Sequence, residues 1–463
     1  MKKILSGLLA ACLLLSSITG CNKDLNVKPI DSVDAATALK TPGDVLAALV
    51  GCYTGLQNNN SYGGYIQFFS DLLADNGDIT FVGTYSQPAE IQRKTILKDN
   101  GEVANMWLSA YITINRTNNV LTNLDKLDTP EKRTSVEGQA KFIRGLAYFD
   151  LVRLFARDWN DGTPSSNPGV PIVLTPTSVI SQENQVSRNT VAEVYTQIIA
   201  DLTDAEAKTP ADNGFLTNSA AAAALLSRVY LQQSRFADAA AAADRAISAS
   251  VAAGGGLNTN YAGNFVSGGD VVPNTKEDIF AIQVNAQTQN GNDRLTTFYS
   301  QYQRADIEIQ DQLLNQFEPG DDRLSLFTID PKKKSPTYSD KYDALYGNVK
   351  LIRLDEMYLT RAEGNFRAGT QVGAPPLDDV NMIRSRALLP PLATLTLGNI
   401  LKERKLELAF EGFRLGDLKR NKESTIDPVK GAVIPWDAPR LILPIPLREI
   451  NANPSLTQNE YYK

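Results

Sequence analysis

From about Gly43 onward, apolar residues recur at the three- and four-residue spacing of helices packed on one face. Thr41-Pro42-Gly43-Asp44 carries a capping residue, a proline at the first helical position and an acid in the first turn, so it opens the first helix. The same period predicts helices at about Asn105–Leu124, Pro130–Arg157, Thr190–Lys208, Asn218–Gln233 and Phe236–Ser250. Pro164, Pro168, Pro171 and Pro176 break the pattern between two of them. From 251 to 349 the pattern changes. Gly254-Gly255-Gly256 opens a stretch rich in Asn, Gly, Thr, Asp and Pro, and Asp278–Val284 alternates like a short strand. The rest of that stretch reads as long loops with scattered aromatics, the kind of segment that usually carries function.

Two segments read as repeats. Ser219–Ser250 and Arg353–Ala387 each combine two helices, small residues at the crossing and a Tyr late in the first helix. This resembles a tetratricopeptide unit, although a generic helical hairpin shares these features. Lys141–Arg157 has large apolar residues on both flanks, with Asp150, Arg153 and Arg157 on one arc and Lys141 and Arg144 roughly opposite. Such a helix sits between neighbours on two sides. Lys402–Arg420 spaces Glu403, Glu407 and Glu411 by four, with Arg404 and Arg414 three residues from an acid. A structural ladder of ion pairs is the expectation, in preference to carboxylates poised for acid–base chemistry. The fold class expected is therefore mainly α, with tetratricopeptide-like helix pairs, a loop-rich ligand-binding part and a few short strands.

Composition narrows the chemistry. The chain has 463 residues, 43% of them apolar, enough for a sizeable core. Its net charge of −6 argues against nucleic acid as a partner. It contains no histidine, which removes Ser-His-Asp and Cys-His catalysis and every imidazole metal site. No cofactor is expected. Cys52 lies in an apolar helical run and reads as a buried, inert thiol. Asp75-Asn76-Gly77-Asp78 and Asp321-Asp322 read as solvated turns; neither fits a calcium loop.

The amino end points to export. Lys2 and Lys3 precede an apolar stretch from Ile4 to about Ile18, too short to span a bilayer. Ile18-Thr19-Gly20-Cys21 resembles a bacterial lipobox, which implies cleavage before Cys21, acylation of its thiol and a membrane hold through lipid alone. Residues 1–20 are then a signal peptide and 21–30 a tether, followed by a single helical domain over 31–463.

Several blocks together resemble the SusD/RagB family of nutrient-uptake lipoproteins. They are the start at Cys21–Pro29, Phe142–Phe155, Val191–Leu202, Ser219–Ala246, Ile352–Glu363, Asn381–Ala387, Glu403–Arg420, Leu443-Pro444-Ile445-Pro446 and Asn453-Pro454. The resemblance implies a non-enzymatic, outer-membrane, surface-exposed protein. Its expected ligand is an oligosaccharide or other small nutrient, and its expected partner a SusC-like TonB-dependent transporter. A carboxylate-dependent glycan hydrolase working from the loops of Asp75 and Asp322, or a helical scaffold binding only protein, remain the alternatives.

Sugar recognition needs flat aromatic faces together with polar groups for the hydroxyls. Asn58–Tyr85 offers Tyr62, Tyr65, Phe81 and Tyr85 beside Asp75 and Asn76. Asn285–Tyr346 offers Phe298, Tyr299, Tyr302, Tyr338 and Tyr342 near Asp293 and Arg304. The three tryptophans lie outside both regions, so any platform depends on Tyr and Phe.

Overall fold

The structure, a computed structural model, describes residues 39–178, 184–265, 269–287, 291, 293–332 and 334–463. The signal segment, Cys21 and the tether lie outside the described residues. Helix α1 (Pro42–Gln57) begins as the sequence predicts. Thr41 Oγ1 accepts the Asp44 N–H at 3.2 Å and Asp44 Oδ2 accepts the Thr41 N–H at 2.8 Å, a reciprocal cap. There follow α2 (Tyr65–Ala74), β1 (Ile79–Phe81), α3 (Ser86–Arg93), α4 (Gly101–Thr122), α5 (Pro130–Phe155), α6 (Val191–Lys208), α7 (Ser219–Gln232) and α8 (Phe236–Ala252). The loop-rich stretch holds β2 (Val271–Val272), β3 (Asp278–Ile282), α9 (Leu295–Tyr299), β4 (Ile307–Ile309), α10 (Asp311–Leu314), β5 (Tyr346–Gly347) and β6 (Val349–Arg353). The chain returns to helix in α11 (Leu354–Ala368), α12 (Pro376–Arg386), α13 (Leu397–Glu407), α14 (Arg414–Arg420) and α15 (Leu447–Ala452), with a β7 (Thr425–Ile426) and β8 (Val433–Ile434) ribbon between the last two.

The helices form one array. α1 packs on α4, α4 on α5, α5 on α6, α6 on α7, α7 on α8 and α8 on α11, which carries α12 and α13. Small residues set the crossings. A Cβ on Gly364 would come within 2.7 Å of the Phe236 carbonyl oxygen, so α11 lies against α8 backbone to backbone. α5 is buried on most of its faces between α4 and α6, as its doubly apolar pattern predicts. Its Arg144 reaches Asp201 of α6 with two hydrogen bonds at 2.7–2.8 Å.

Two excursions leave this array. Residues 58–100 depart between α1 and α4, and residues 253–353 between α8 and α11. The second is closed at its base by the antiparallel pairing of β3 with β6, Asp278 opposite Arg353 and Ile282 opposite Val349. Cys52 is fully buried and burial pushes its thiol up to about 12, the inert state the sequence suggests.

Lys402–Arg420 differs from expectation. It forms two helices, because Phe410 (φ 67°) and Gly412 (φ 79°) turn the chain at 408–413. A Cβ on Gly412 would meet Gln67 Cα at 2.7 Å, so the turn is pressed against α2. Glu411 therefore leaves the stripe of Glu403 and Glu407. The acids are paired, but with distant cations. Arg323 donates to Glu403 at 2.6 Å and Glu407 at 3.2 Å, Arg386 to Glu277 and Glu407, and Arg353 to Glu277 and Glu411. Arg404 pairs with Asp417 and Arg414 with Glu423. The carboxylates of Glu277, Asp355 and Glu407 converge closely, and Arg353 and Arg386 between them are ion-paired with all three.

Removing one member of such a buried cluster leaves an uncompensated charge. Arg386→Met is expected to cost about 3–5 kcal/mol of stability in guanidinium chloride unfolding. Arg245→Met, which breaks a partly exposed pair with Glu206, is expected to cost less than about 1 kcal/mol.

Candidate functional site

The two excursions meet through one ribbon. β1 and β4 pair antiparallel, Ile79 opposite Ile309, Thr80 opposite Glu308 and Phe81 opposite Ile307. Strand alternation turns the apolar residues toward the core and Thr80 and Glu308 outward. Beneath the ribbon, Phe68 and Phe298 stack with ring centroids 4.0 Å apart, and Tyr65 lies 5.5 Å from Phe298. Gly64 permits this approach, since a Cβ there would come within 2.9 Å of the Asp293 carbonyl oxygen. The Tyr299 hydroxyl donates to Asp71 Oδ2 at 2.8 Å, tying the second excursion to α2.

Above these packed rings stands an exposed rim. Tyr85 is 53% exposed and Tyr302 is 71% exposed. The Arg304 guanidinium lies 4.9 Å over the Tyr85 ring, a cation–π contact. Its Nε and Nη2 donate to Asp306 at 2.9 and 2.7 Å, and Nη1 reaches Asp293 at 3.4 Å. Ala305 between them is left-handed (φ 51°), which swings the chain from the turn at 301–304 directly into β4. The Tyr65 hydroxyl faces Glu102 at the start of α4. Burial, and then the Asp293 charge, hold the Glu102 carboxyl above the usual range. A ring face, a guanidinium and several carboxylates in one open surface suit stacking under a sugar ring and acceptance of its hydroxyl protons.

Of the residues singled out from sequence, Tyr85, Tyr302 and Arg304 lie on this rim, with Phe81 half-buried below it. Tyr338 is half-buried beside β4, one residue past the Ile309–Thr337 bridge, within reach of the Glu308 charge. Tyr62, Tyr65, Phe298 and Tyr299 are interior and present no ring face to solvent. Tyr342 is half-buried and donates to the Phe410 carbonyl at 2.8 Å. Asp75 is buried, its Oδ1 accepting the Gly77, Asp78 and Ile79 N–H groups, so the acidic turn is an interior device and not a solvated loop. Asn76 is half-buried, and its carbonyl accepts from Gln312 Nε2 at 2.8 Å. Sequence reasoning missed Glu102, Asp306 and Glu308. The Arg304-Ala305-Asp306 spacing was the one local signal, a cation and an acid two residues apart entering a strand.

A helical array carrying an open aromatic and polar surface on two excursions defines the class: a mainly helical, tetratricopeptide-like protein. Comparison with known proteins agrees. Residues 34–231 match the family described as "Starch-binding associating with outer membrane", and residues 327–427 match the SusD family. A putative sugar binding protein from Bacteroides vulgatus superposes with a TM-score of 0.83 at 30% identity, covering 92% of this chain and 100% of that one. SusD-like protein P2 of Formosa agariphila is 32% identical over 231 residues, which is 49% of this chain and 43% of that protein. The starch-binding protein SusD of Bacteroides thetaiotaomicron is 34% identical over 124 residues, 25% of this chain and 22% of that protein. The chain thus aligns with less than half the length of each of these two curated relatives. It belongs to the SusD family. No helix among the described residues is long and apolar enough to cross a membrane.

Asp71, under the rim, gives a pH signature. Burial pushes its carboxyl up to about 7, against the lowering effect of the Tyr299 hydroxyl and the Gly412 N–H. The unfolded carboxyl titrates at about 3.9. Between these values only the native state holds the proton, so this group makes stability fall as pH rises from about 4 to about 7. Asp71→Asn is expected to remove that fall. Urea midpoints of the two proteins across this range check it, and parallel curves would reject the assignment.

Proposed function

We propose that this chain is a cell-surface nutrient-binding lipoprotein. It captures an oligosaccharide on the Tyr85–Tyr302–Arg304 rim and passes it to a partner SusC-like TonB-dependent outer-membrane transporter. The observation that carries the reading is the rim itself: two exposed tyrosines and a stacked guanidinium, mounted on packed aromatics where the two excursions join. Family membership supports carbohydrate as the ligand class, and the lipobox-like Ile18–Cys21 supports a lipid anchor at Cys21. A hydrolytic role for Asp75 is disfavoured. Three backbone N–H groups occupy one carboxylate oxygen, and Gln92 Nε2 donates to the other at 3.2 Å.

Calorimetric titration of the full chain in detergent with purified oligosaccharides and a peptide pool tests the ligand class. Tyr85→Ala and Tyr302→Ala are each expected to weaken binding by about 1–2 kcal/mol, roughly five- to thirtyfold, with little change in melting temperature. Equal affinity in both variants would remove the rim from the site. Purification from native membranes is expected to bring down a barrel transporter in stoichiometric amount. Its absence would end the delivery reading.

A further inference from the structure

We infer that the rim accepts uncharged sugar chains and excludes polyanionic ones, those bearing uronate or sulfate. The inference rests on the glycan reading above and concerns the charge of the ligand. Recognition of an anionic sugar needs cationic donors free to turn toward it. The rim's guanidinium is already engaged by carboxylates. Its Nε and Nη2 are bound to Asp306, and its Nη1 to Asp293. Its faces are taken by Tyr85 at 4.9 Å and Phe298 at 5.7 Å. A ligand carboxylate seeking the paired Nε–Nη2 edge would have to displace Asp306, whose side chain is 2% exposed and would be left as a buried, unpaired charge.

The other charged groups at the rim point the same way. Glu308 faces outward from β4, opposite Thr80. Glu102 faces the Tyr65 hydroxyl, and Asp293 retains 40% of its side-chain exposure. Among the described residues, the Arg304 guanidinium stands beside the carboxylates of Asp293, Asp306, Glu102 and Glu308. Arg294, adjacent to Asp293 in the chain, aims Nη1 at the Leu345 carbonyl, 3.1 Å away. Burial first, and then the nearby Asp293 charge, hold the Glu102 carboxyl above its usual range. A neutral polyol meets these carboxylates as hydroxyl donor to acceptor, whereas an anion meets like charge.

Titration of the full chain with size-matched oligosaccharides decides the point. A neutral set (malto-, laminari- and xylo-oligosaccharides) is compared with an anionic set (oligogalacturonate, oligoalginate, sulfated galactan fragments), with and without calcium. The expected result is binding within the neutral set that Tyr85→Ala weakens by roughly five- to thirtyfold. It changes less than about twofold between about 20 and about 500 mM salt. Anionic chains bind at least about tenfold more weakly, and Glu308→Lys narrows that gap at low salt. Tyr85-dependent binding of a uronate or sulfated chain more tightly than any neutral one, with or without calcium, overturns the charge inference and leaves the glycan reading standing. Silence from both sets, with wild-type protein folded, overturns the glycan reading and this inference with it.

Discussion

The fold depends on a set of charges buried in its interior. Arg323, Arg353 and Arg386 are buried with Glu277, Asp355, Glu403, Glu407 and Glu411, and each guanidinium bridges at least two carboxylates. Ion pairs in such a place need complete geometry, because desolvation costs several kcal/mol per ion and only full coordination offsets it. Here completeness requires the second excursion to supply Glu277 and Arg323, α12 to supply Arg386, and α13 with the following turn to supply the acids. The cluster can form only when these parts of the chain are all in register, so it locates the excursion on the array. Lys341 extends the cluster, donating to Glu411 at 2.8 Å and lying 5.1 Å from the Tyr261 ring. The excursion's own small apolar cluster of Tyr261, Phe265 and Leu326 is thereby brought under the same control.

With the excursion so fixed, the rim inherits a rigid base. Phe68, Phe298, Tyr65 and Tyr299 form the layer beneath it, and Gly64 lets the two excursions close to backbone contact. In the proposed site, exposed tyrosines over buried ones would lose little conformational freedom when a ligand arrives, since the supporting rings are already held. The left-handed Ala305 and the Arg304–Asp306 pairing add a locally strained, fully hydrogen-bonded edge of the kind that recurs at recognition sites.

Much of the array was legible because its helices are amphipathic or capped. The Thr41 and Thr190 caps and the apolar period of 219–250 placed boundaries within a few residues of those observed. α2 escaped notice as a helix although Gln67, Ser70 and Asp71 recur at helical spacing, because the segment is short and lies in a stretch that stands out for its aromatics. The break at 408–413 was hidden in a sequence of good helix formers. Only Gly412 hinted at it, while Phe410 took its positive φ from packing. The partners of Glu403, Glu407 and Glu411 were misjudged for a related reason. Local spacing sees Arg404 and Arg414, but the cations that matter arrive from 80 residues away or more in the case of Arg323. At the rim, the two aromatic-rich regions were visible as composition. Which tyrosine faces solvent was not, since Tyr299 and Tyr302 sit three residues apart with opposite fates that only tertiary packing decides.

The β3–β6 pairing at the base of the second excursion has a consequence for how such proteins diversify. Entry and exit lie side by side, and α8 packs directly on α11 as though nothing had been inserted between them. Beyond that gate, lengthening, trimming or exchanging the distal loops leaves the helical frame with the same neighbours. Selection can therefore rewrite the recognition surface as a cassette while the frame is inherited unchanged. Lineages of this architecture should diverge fastest in the outer turns, such as the one bearing Tyr302, and slowest at the residues that latch the gate, Asp278 and Arg353.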